Sequence, residues 1–220
     1  MGSSLLSGFR IFLYVSWTLL LIPVQVLGLR LRLSYTQRLP GFYHRSCCTI
    51  FGFRVVQIGE ISDARPTLFV SNHTSYLDIT MLSALIPGVS FISKAEVADW
   101  PFFGTLARLQ QTVFIERRAS RASSHRSVIH TRLQQGDPLI LFPEGTSNDG
   151  NRVLPFKSAL FSVAEEEVNG EALVVQPVSI AYTRLDGIPF GRVLRPYYAW
   201  YGDMELAPHF WEMAGLGDLT

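Results

Sequence analysis

SNHTSYLD, residues Ser71 to Asp78, lies where a short apolar run gives out and a helical pattern begins. Ahead of it stand Thr67, Leu68, Phe69 and Val70, a run of strand formers, and behind it Ile79 to Ile86 returns to apolar residues at helical spacing. The histidine thus falls at a strand-to-helix junction, and in an open α/β sheet ligands collect outside the carboxyl ends of the strands. His73 and Asp78 are five residues apart, and three readings fit such a pair. Asp78 can accept a hydrogen bond from one ring nitrogen of His73, fixing the tautomer so that the other nitrogen takes a proton from a hydroxyl. Both can ligate a metal, although no third ligand stands at a familiar spacing. Alternatively Asp78, three residues after Ser75, belongs to a capping-box-like helix start and His73 is a satisfied core histidine. For an isolated pair the last reading is preferred.

Strand-like and helix-like runs alternate outward from this stretch. Arg54 to Ile58 alternates like a strand, Val89 to Ser93 is a short strand ending at Lys94, and Gln111 to Ile115 is another. Leu139 to Phe142 is a continuous apolar run of the kind buried in parallel sheets, and Ala172 to Ala181 is a further apolar strand. Helical patterns cover Ser120 to Gln135, with Val128, Ile129 and Leu133 on one face, then Lys157 to Val168, and Glu205 to Gly215. The expected fold is therefore α/β, a largely parallel central sheet flanked by helices. Its 220 residues suit one such domain, residues 41–220, preceded by a membrane-associated helical segment, residues 1–40.

That segment rests on composition. Hydrophobic residues make up 48 % of the chain and charged residues 17 %, an apolar balance that points to a membrane. Ile11 to Leu29 carries no charge over 19 residues, about the length that crosses a hydrocarbon core. Arg10 precedes it and Arg30, Arg32 and Arg38 follow, which favours a cytoplasmic C-terminal side. Membrane lipids are thus expected partners. Pro23 is expected to bend or split the helix, so an interfacial helix pair stands beside a clean crossing. A signal peptide has little support, since one arginine forms the positive region and no A-x-A site follows. The net charge of +1 and the lack of a recognisable module argue against a nucleic-acid partner. Five arginines, at 117, 118, 121, 126 and 132, lie between Glu116 and Asp137 with no acidic residue among them, suiting an anionic membrane surface or a solvated face equally. Adjacent Cys47 and Cys48 form no disulfide framework and read as buried thiols in a reducing compartment.

Three more stretches end strands with chemistry. FIER, 114 to 117, puts a guanidinium past one strand, where it can take an anion in two hydrogen bonds. FPEGT, 142 to 146, puts a carboxylate, a flexible backbone and a hydroxyl past another, and VQPV, 175 to 178, ends a third. Each alone has an ordinary explanation: a surface charge, a β-turn, a strand terminator. Together with NHTSYLD they closely resemble, in order, the four blocks of the glycerolipid acyltransferase family, typified by 1-acylglycerol-3-phosphate acyltransferases, over about residues 50–200.

The resemblance implies an acyltransferase with an N-terminal membrane-associated helical motif, a lysolipid acceptor, and acyl-CoA or acyl carrier protein as co-substrate, with no cofactor and no metal. It makes His73 the general base and Asp78 the residue that orients it. Such a base contributes typically 10² to 10⁴-fold, leaving much of the rate to positioning. Arg117 and Lys94 would hold the acceptor's anionic head group. Glu144, Gly145 and Thr146 would shape the acceptor site, Glu144 by hydrogen bonding to hydroxyls or to Arg117, and Pro177 would shape a pocket wall. Family members commonly continue past the equivalent of Thr220 with another strand. The expected acceptor is 1-acylglycerol-3-phosphate, with a lyso-ornithine or related aminolipid as the alternative, because WYGDMELAPHFW and EGTSNDGNRVLPFKSALF resemble the bacterial aminolipid branch. From another class, a catalytically silent lipid-binding module competes, and the intact His73 and Asp78 count against it.

Overall fold

In the computed structural model, which describes residues 2–116, 122–165 and 167–220, the run before the histidine is strand β1, Thr67–Ser71, buried at every position. Four more strands join it: β2 (Ser90–Lys94), β3 (Val113–Ile115), β4 (Leu139–Leu141) and, after a small ribbon of β5 (Glu167–Val168) and β6 (Glu171–Ala172), β7 (Val174–Val178). Their order is β3-β2-β4-β1-β7 and every pairing is parallel. All carboxyl ends therefore share one edge of the sheet. β1 and β4 are continuous apolar runs because both faces of their strands are covered, and Leu68, Leu139 and Ile140 are fully sealed. A second ribbon, β8 (Arg184–Leu185) with β9 (Ile188–Pro189), lies outside the sheet.

The expected strand at Arg54 to Ile58 does not form. That segment joins no strand ladder: Phe53 bridges to Leu219, Arg54 N donates to the Leu219 carbonyl at 2.7 Å, and Val56 and Ile58 are exposed. The strands are linked by α3 (Leu77–Leu85), α4 (Phe103–Leu109) and α5 (Ala122–Gln134). On α5, Ile129 and Leu133 are buried but Val128 is exposed, so the apolar face is narrower than its pattern implies. Arg132 is no loose surface cation: its Nε donates to Asp137 and its Nη1 to the Gln111 carbonyl at 2.9 Å. The helix expected over Lys157 to Val168 is short, α6 (Ser158–Phe161) with a 3₁₀ turn, before the chain turns into β5. The last helix is α7 (Leu206–Ala214).

The N-terminal run forms α1 (Ser4–Arg30), long and apolar enough to cross a membrane, and Pro23 lies within it without dividing it. α2 (Leu39–Phe51) follows, with Cys47 and Cys48 buried and their thiols pushed up by burial to about 12 and about 11. The stripe of α1 that meets the rest of the protein carries Ser7, Arg10, Thr18 and Gln25 as buried polar residues, with Tyr14 and Gly28 buried among them. Ser7 donates to the Trp211 carbonyl, Arg10 to Leu216, and Gln25 to Leu109 at 3.0 Å, while Thr18 bonds Tyr43 at 2.8 Å. Phe9, Phe12, Leu19, Leu20 and Leu27 face outward, more than half exposed. Polarity is inverted relative to a soluble surface helix.

Candidate active site

β1 and β4 are neighbours, so the loops leaving their carboxyl ends run side by side and bring His73 and Glu144 together across 71 residues of sequence. Asp78 sits in the first turn of α3, where unpaired backbone N–H groups favour an anion. Its Oδ2 accepts from His73 Nδ1 at 2.8 Å, from Thr74 N at 2.7 Å and from Ser75 N at 3.0 Å. Its Oδ1 accepts from the Tyr182 hydroxyl at 2.5 Å. The carboxylate is entirely sealed from solvent. Burial, and after it the Asp78 charge, hold the Tyr182 phenol well above its usual range, so it remains a donor. Asp78 thus holds the histidine ring and the backbone of Thr74 and Ser75, just ahead of α3, at once.

With Nδ1 donating to Asp78, His73 is left with Nε2 as its acceptor, and that atom has no partner among the described residues. The ring stacks on Phe142, centroids 4.0 Å apart and planes 17° from parallel, and Phe142 stacks in turn on Phe91. The His73 N–H donates to Glu144 Oε1 at 2.8 Å and its carbonyl accepts from Asn148. The loop is gripped further by Asn72, which exchanges two hydrogen bonds with the backbone of Ile180 at 2.9 and 2.8 Å. What results is a rigid imidazole with one lone pair presented, 19 % of its side chain accessible. Among the described residues no group of three or more His, Cys, Asp or Glu side chains gathers as a metal site.

Glu144 is only 1 % exposed, and both its oxygens are committed: Oε1 to His73 N, and Oε2 to Asn148 Nδ2 at 2.7 Å and Leu154 N at 2.8 Å. These bonds make Glu144 a clamp that joins the two loops. Gly145 closes a turn, its N–H donating to the Phe142 carbonyl, at φ +72°, and a Cβ there would meet the Lys157 ammonium. Thr146 is exposed beside it. Lys94 is exposed at the same sheet edge, in register with Ile115. Arg117 lies outside the described residues. Pro177 pairs with Val70 on the edge strand and is exposed there, away from the cavity described next. Tyr182, Asn148 and Asn72 escaped the sequence reading. Asn72 is a side-chain amide inside a quoted block and Asn148 one just after another, which is a usable signal; Tyr182 offers none.

A cavity of about 180 Å³ opens beneath this edge between α1, α2, α3, α4 and α7. Its wall is overwhelmingly apolar, with Tyr14, Phe51, Tyr76, Ile79 and Phe103 among its members. Phe91 also lines it, so the stack Phe91–Phe142–His73 connects the cavity to the imidazole.

A buried carboxylate thus stands behind an imidazole at the carboxyl edge of a parallel sheet, and the aromatic stack under that imidazole reaches an apolar cavity. The family model described as Acyltransferase matches residues 52–181, and the chain belongs to that family; it is an acyltransferase. Among curated proteins, the lyso-ornithine lipid O-acyltransferase of Brucella abortus (strain 2308) is 50 % identical over 208 residues, covering 91 % of this chain and 78 % of that protein. The corresponding enzyme of Rhizobium meliloti (strain 1021) is 44 % identical, covering 90 % and 68 %. The 1-acyl-sn-glycerol-3-phosphate acyltransferase of Neisseria meningitidis serogroup B is 35 % identical, covering 75 % and 62 %. Among solved structures, the 1-acyl-sn-glycerophosphate (LPA) acyltransferase PlsC from Thermotoga maritima superposes with a TM-score of 0.57 at 20 % identity, covering 80 % of this chain and 81 % of that one. That likeness shows the fold. Membership of an acyltransferase family sets aside the silent lipid-binding module.

Proposed function

We propose that the protein transfers a fatty acyl group from an acyl thioester, acyl-CoA or acyl carrier protein, to the free hydroxyl of a lysolipid. The observation that carries this is the single presented nitrogen of His73, backed by a sealed Asp78. Nε2 takes the hydroxyl proton as the oxygen attacks the thioester carbonyl; the tetrahedral intermediate collapses, the C–S bond breaks, and the thiolate recovers that proton from the imidazolium. The products are an ester and a free thiol. Asp78 stabilises the imidazolium between the two steps. The apolar cavity below receives an acyl chain. Arg117 and Lys94 hold the acceptor's acidic group, and Gly145 and Thr146 border it.

The relatives' substrates order the acceptors. A lyso-ornithine or related aminolipid comes first, supported by 50 % identity over most of both chains, and 1-acylglycerol-3-phosphate second. The protein works at the cytoplasmic face of the bacterial inner membrane, with the outward apolar side of α1 in the lipid interface. Its polar inner stripe is occupied along the domain by hydrogen bonds from Ser7 to Gln25, which supports α1 lying on the membrane and not across it. His73→Ala assayed against lyso-ornithine lipid and 1-acylglycerol-3-phosphate, with each donor, tests the reaction: transfer is expected to fall at least a hundredfold, and undiminished transfer would sink it.

A further inference from the structure

The chain from Arg192 to Trp200 forms a strap over the catalytic loop, outside all four sequence blocks. It is tied at both ends. Asn151 Nδ2 donates to the Arg192 carbonyl at 3.1 Å, Trp200 N donates to the Thr74 carbonyl at 3.1 Å, and Ser147 Oγ donates to the Trp200 carbonyl. Between the ties a 3₁₀ turn, Arg195–Tyr197, seats Arg195 over Gly150. A Cβ on Gly150 would lie 3.0 Å from Thr74 Cγ2 and 3.9 Å from Arg195 Cβ, so the arginine stands beside the residue that follows His73.

Arg195 is half-buried, yet its guanidinium donates to no acceptor among the described residues, and its Nε is sealed from solvent with no partner. Trp200 Nε1, on the same strap, and Asn151 Oδ1, on the loop beneath it, are likewise buried without partners. Buried polar atoms are nearly always satisfied, and a guanidinium is built to take an oxyanion through two N–H groups. Two of these orphans, Arg195 Nε and Trp200 Nε1, are donors that lack an acceptor, and the third, Asn151 Oδ1, is an acceptor that lacks a donor, so a ligand carrying an oxyanion beside a donor group fits all three.

We propose that Arg195 binds the acidic group of the acceptor's head group, a carboxylate or a phosphate, while the acceptor's hydroxyl meets His73. The assignment rests on the acyl-transfer reading above. It makes Arg195 a third cation for the acceptor, beside Arg117 and Lys94, and one contributed by the C-terminal part of the chain.

The test uses the full chain in detergent micelles, as wild type, Arg195→Gln and Arg195→Lys, with one acyl thioester. Three acceptors serve as arms: lyso-ornithine lipid, which offers a carboxylate, 1-acylglycerol-3-phosphate, which offers a phosphate, and monoacylglycerol, which offers neither. A hydrogen bond to a charged group corresponds to roughly tenfold to a hundredfold in affinity. Arg195→Gln is expected to raise KM by that factor for whichever acidic acceptor the wild type uses, to leave the donor KM and the monoacylglycerol rate within twofold, and to be partly rescued by Arg195→Lys. The arm that responds says which acid is bound. An unchanged acceptor KM in both variants, or an equal loss with all three acceptors, would overturn the assignment, the latter because a damaged strap does not distinguish head groups. Wild type that acylates none of the three overturns the acyl-transfer reading itself, and Arg195 falls with it.

Discussion

Asp78→Asn separates the charge of Asp78 from its geometry. The carboxylate accepts three hydrogen bonds on Oδ2 and one, from Tyr182, on Oδ1. An asparagine can keep its oxygen where Oδ2 was and continue to serve His73, Thr74 and Ser75. Its amide nitrogen then takes the place of Oδ1, and the Tyr182 hydroxyl turns from donor to acceptor. The Tyr182 O–H loses Oδ1 as its acceptor, so the stability cost is that of a displaced buried donor, about 1–3 kcal/mol, a few degrees in Tm for a chain of this size. The rate suffers more. With the charges delocalised over ring and carboxylate at about 4 Å, and an effective dielectric constant of about 20, the lost stabilisation of the imidazolium is about 4 kcal/mol, roughly 10³-fold in kcat. Initial rates with a radiolabelled acyl thioester and a lysolipid acceptor, alongside a thermal melt in the same detergent, read both quantities. A variant within tenfold of wild type at an unchanged Tm would refute the electrostatic role of Asp78. A collapse of the melt would refute the claim that the amide fits.

Glu144→Gln is expected to be the more destabilising change, because three donors converge on two oxygens and an amide supplies one; whichever donor then faces the new NH₂ costs about 2–5 kcal/mol, and a wild-type melt would show that the clamp is dispensable. Replacing Phe12 and Leu20, both outward on α1, by glutamate removes about 1.5–3 kcal/mol of apolar burial at each position, so flotation with anionic vesicles should fall more than tenfold while the melt is kept; unchanged flotation would show that another surface meets the membrane. Burial holds the His44 imidazole down at about 4, against 6.5 when unfolded. As pH falls the unfolded chain takes the proton first, so this contribution is intact above about 6.5 and is lost progressively toward about 4, by at most about 3 kcal/mol. Between pH 7.5 and 5, His44→Asn should therefore lose less stability than wild type in parallel denaturant titrations; equal losses would contradict the assignment.

The sheet was legible because parallel strands buried on both faces are written as unbroken apolar runs. Leu139 to Leu141 and Thr67 to Val70 needed no partner information. Arg54 to Ile58 shows the reverse case. Its alternation fits a half-buried strand, but pairing is decided elsewhere, and here it stops at the bridge from Phe53 to Leu219, 166 positions away, and the bond from Arg54 N. The over-long helix from Lys157 was avoidable: Asn169 and Gly170, both at positive φ, form the tight turn of the β5–β6 ribbon, and an Asn-Gly pair is a strong hairpin signal. In α1 the length was visible but not the orientation, since Thr18 and Gln25 read as minor interruptions of an apolar run, and Arg10 as a cation flanking it, until the domain they bond to is present.

At the site, the legible contacts were those whose partners lie close in sequence. His73 and Asp78 can be paired from a spacing of five residues; Glu144 and His73 cannot. What no spacing conveys is which atoms the fold has already consumed. Glu144 carries a carboxylate at the right sheet edge, and three of its acceptor positions go to His73, Asn148 and Leu154, so within the fold it holds the loop that carries the histidine. Arg195 lies in no recognised block, yet its donors have no acceptor. Loss of activity on mutation therefore does not sort these residues, because breaking the clamp and removing a binding group both stop turnover. The sorting variable is where the free energy is lost: a clamp residue lowers Tm and kcat together for every acceptor, whereas a head-group residue leaves Tm in place and raises KM for acidic acceptors alone.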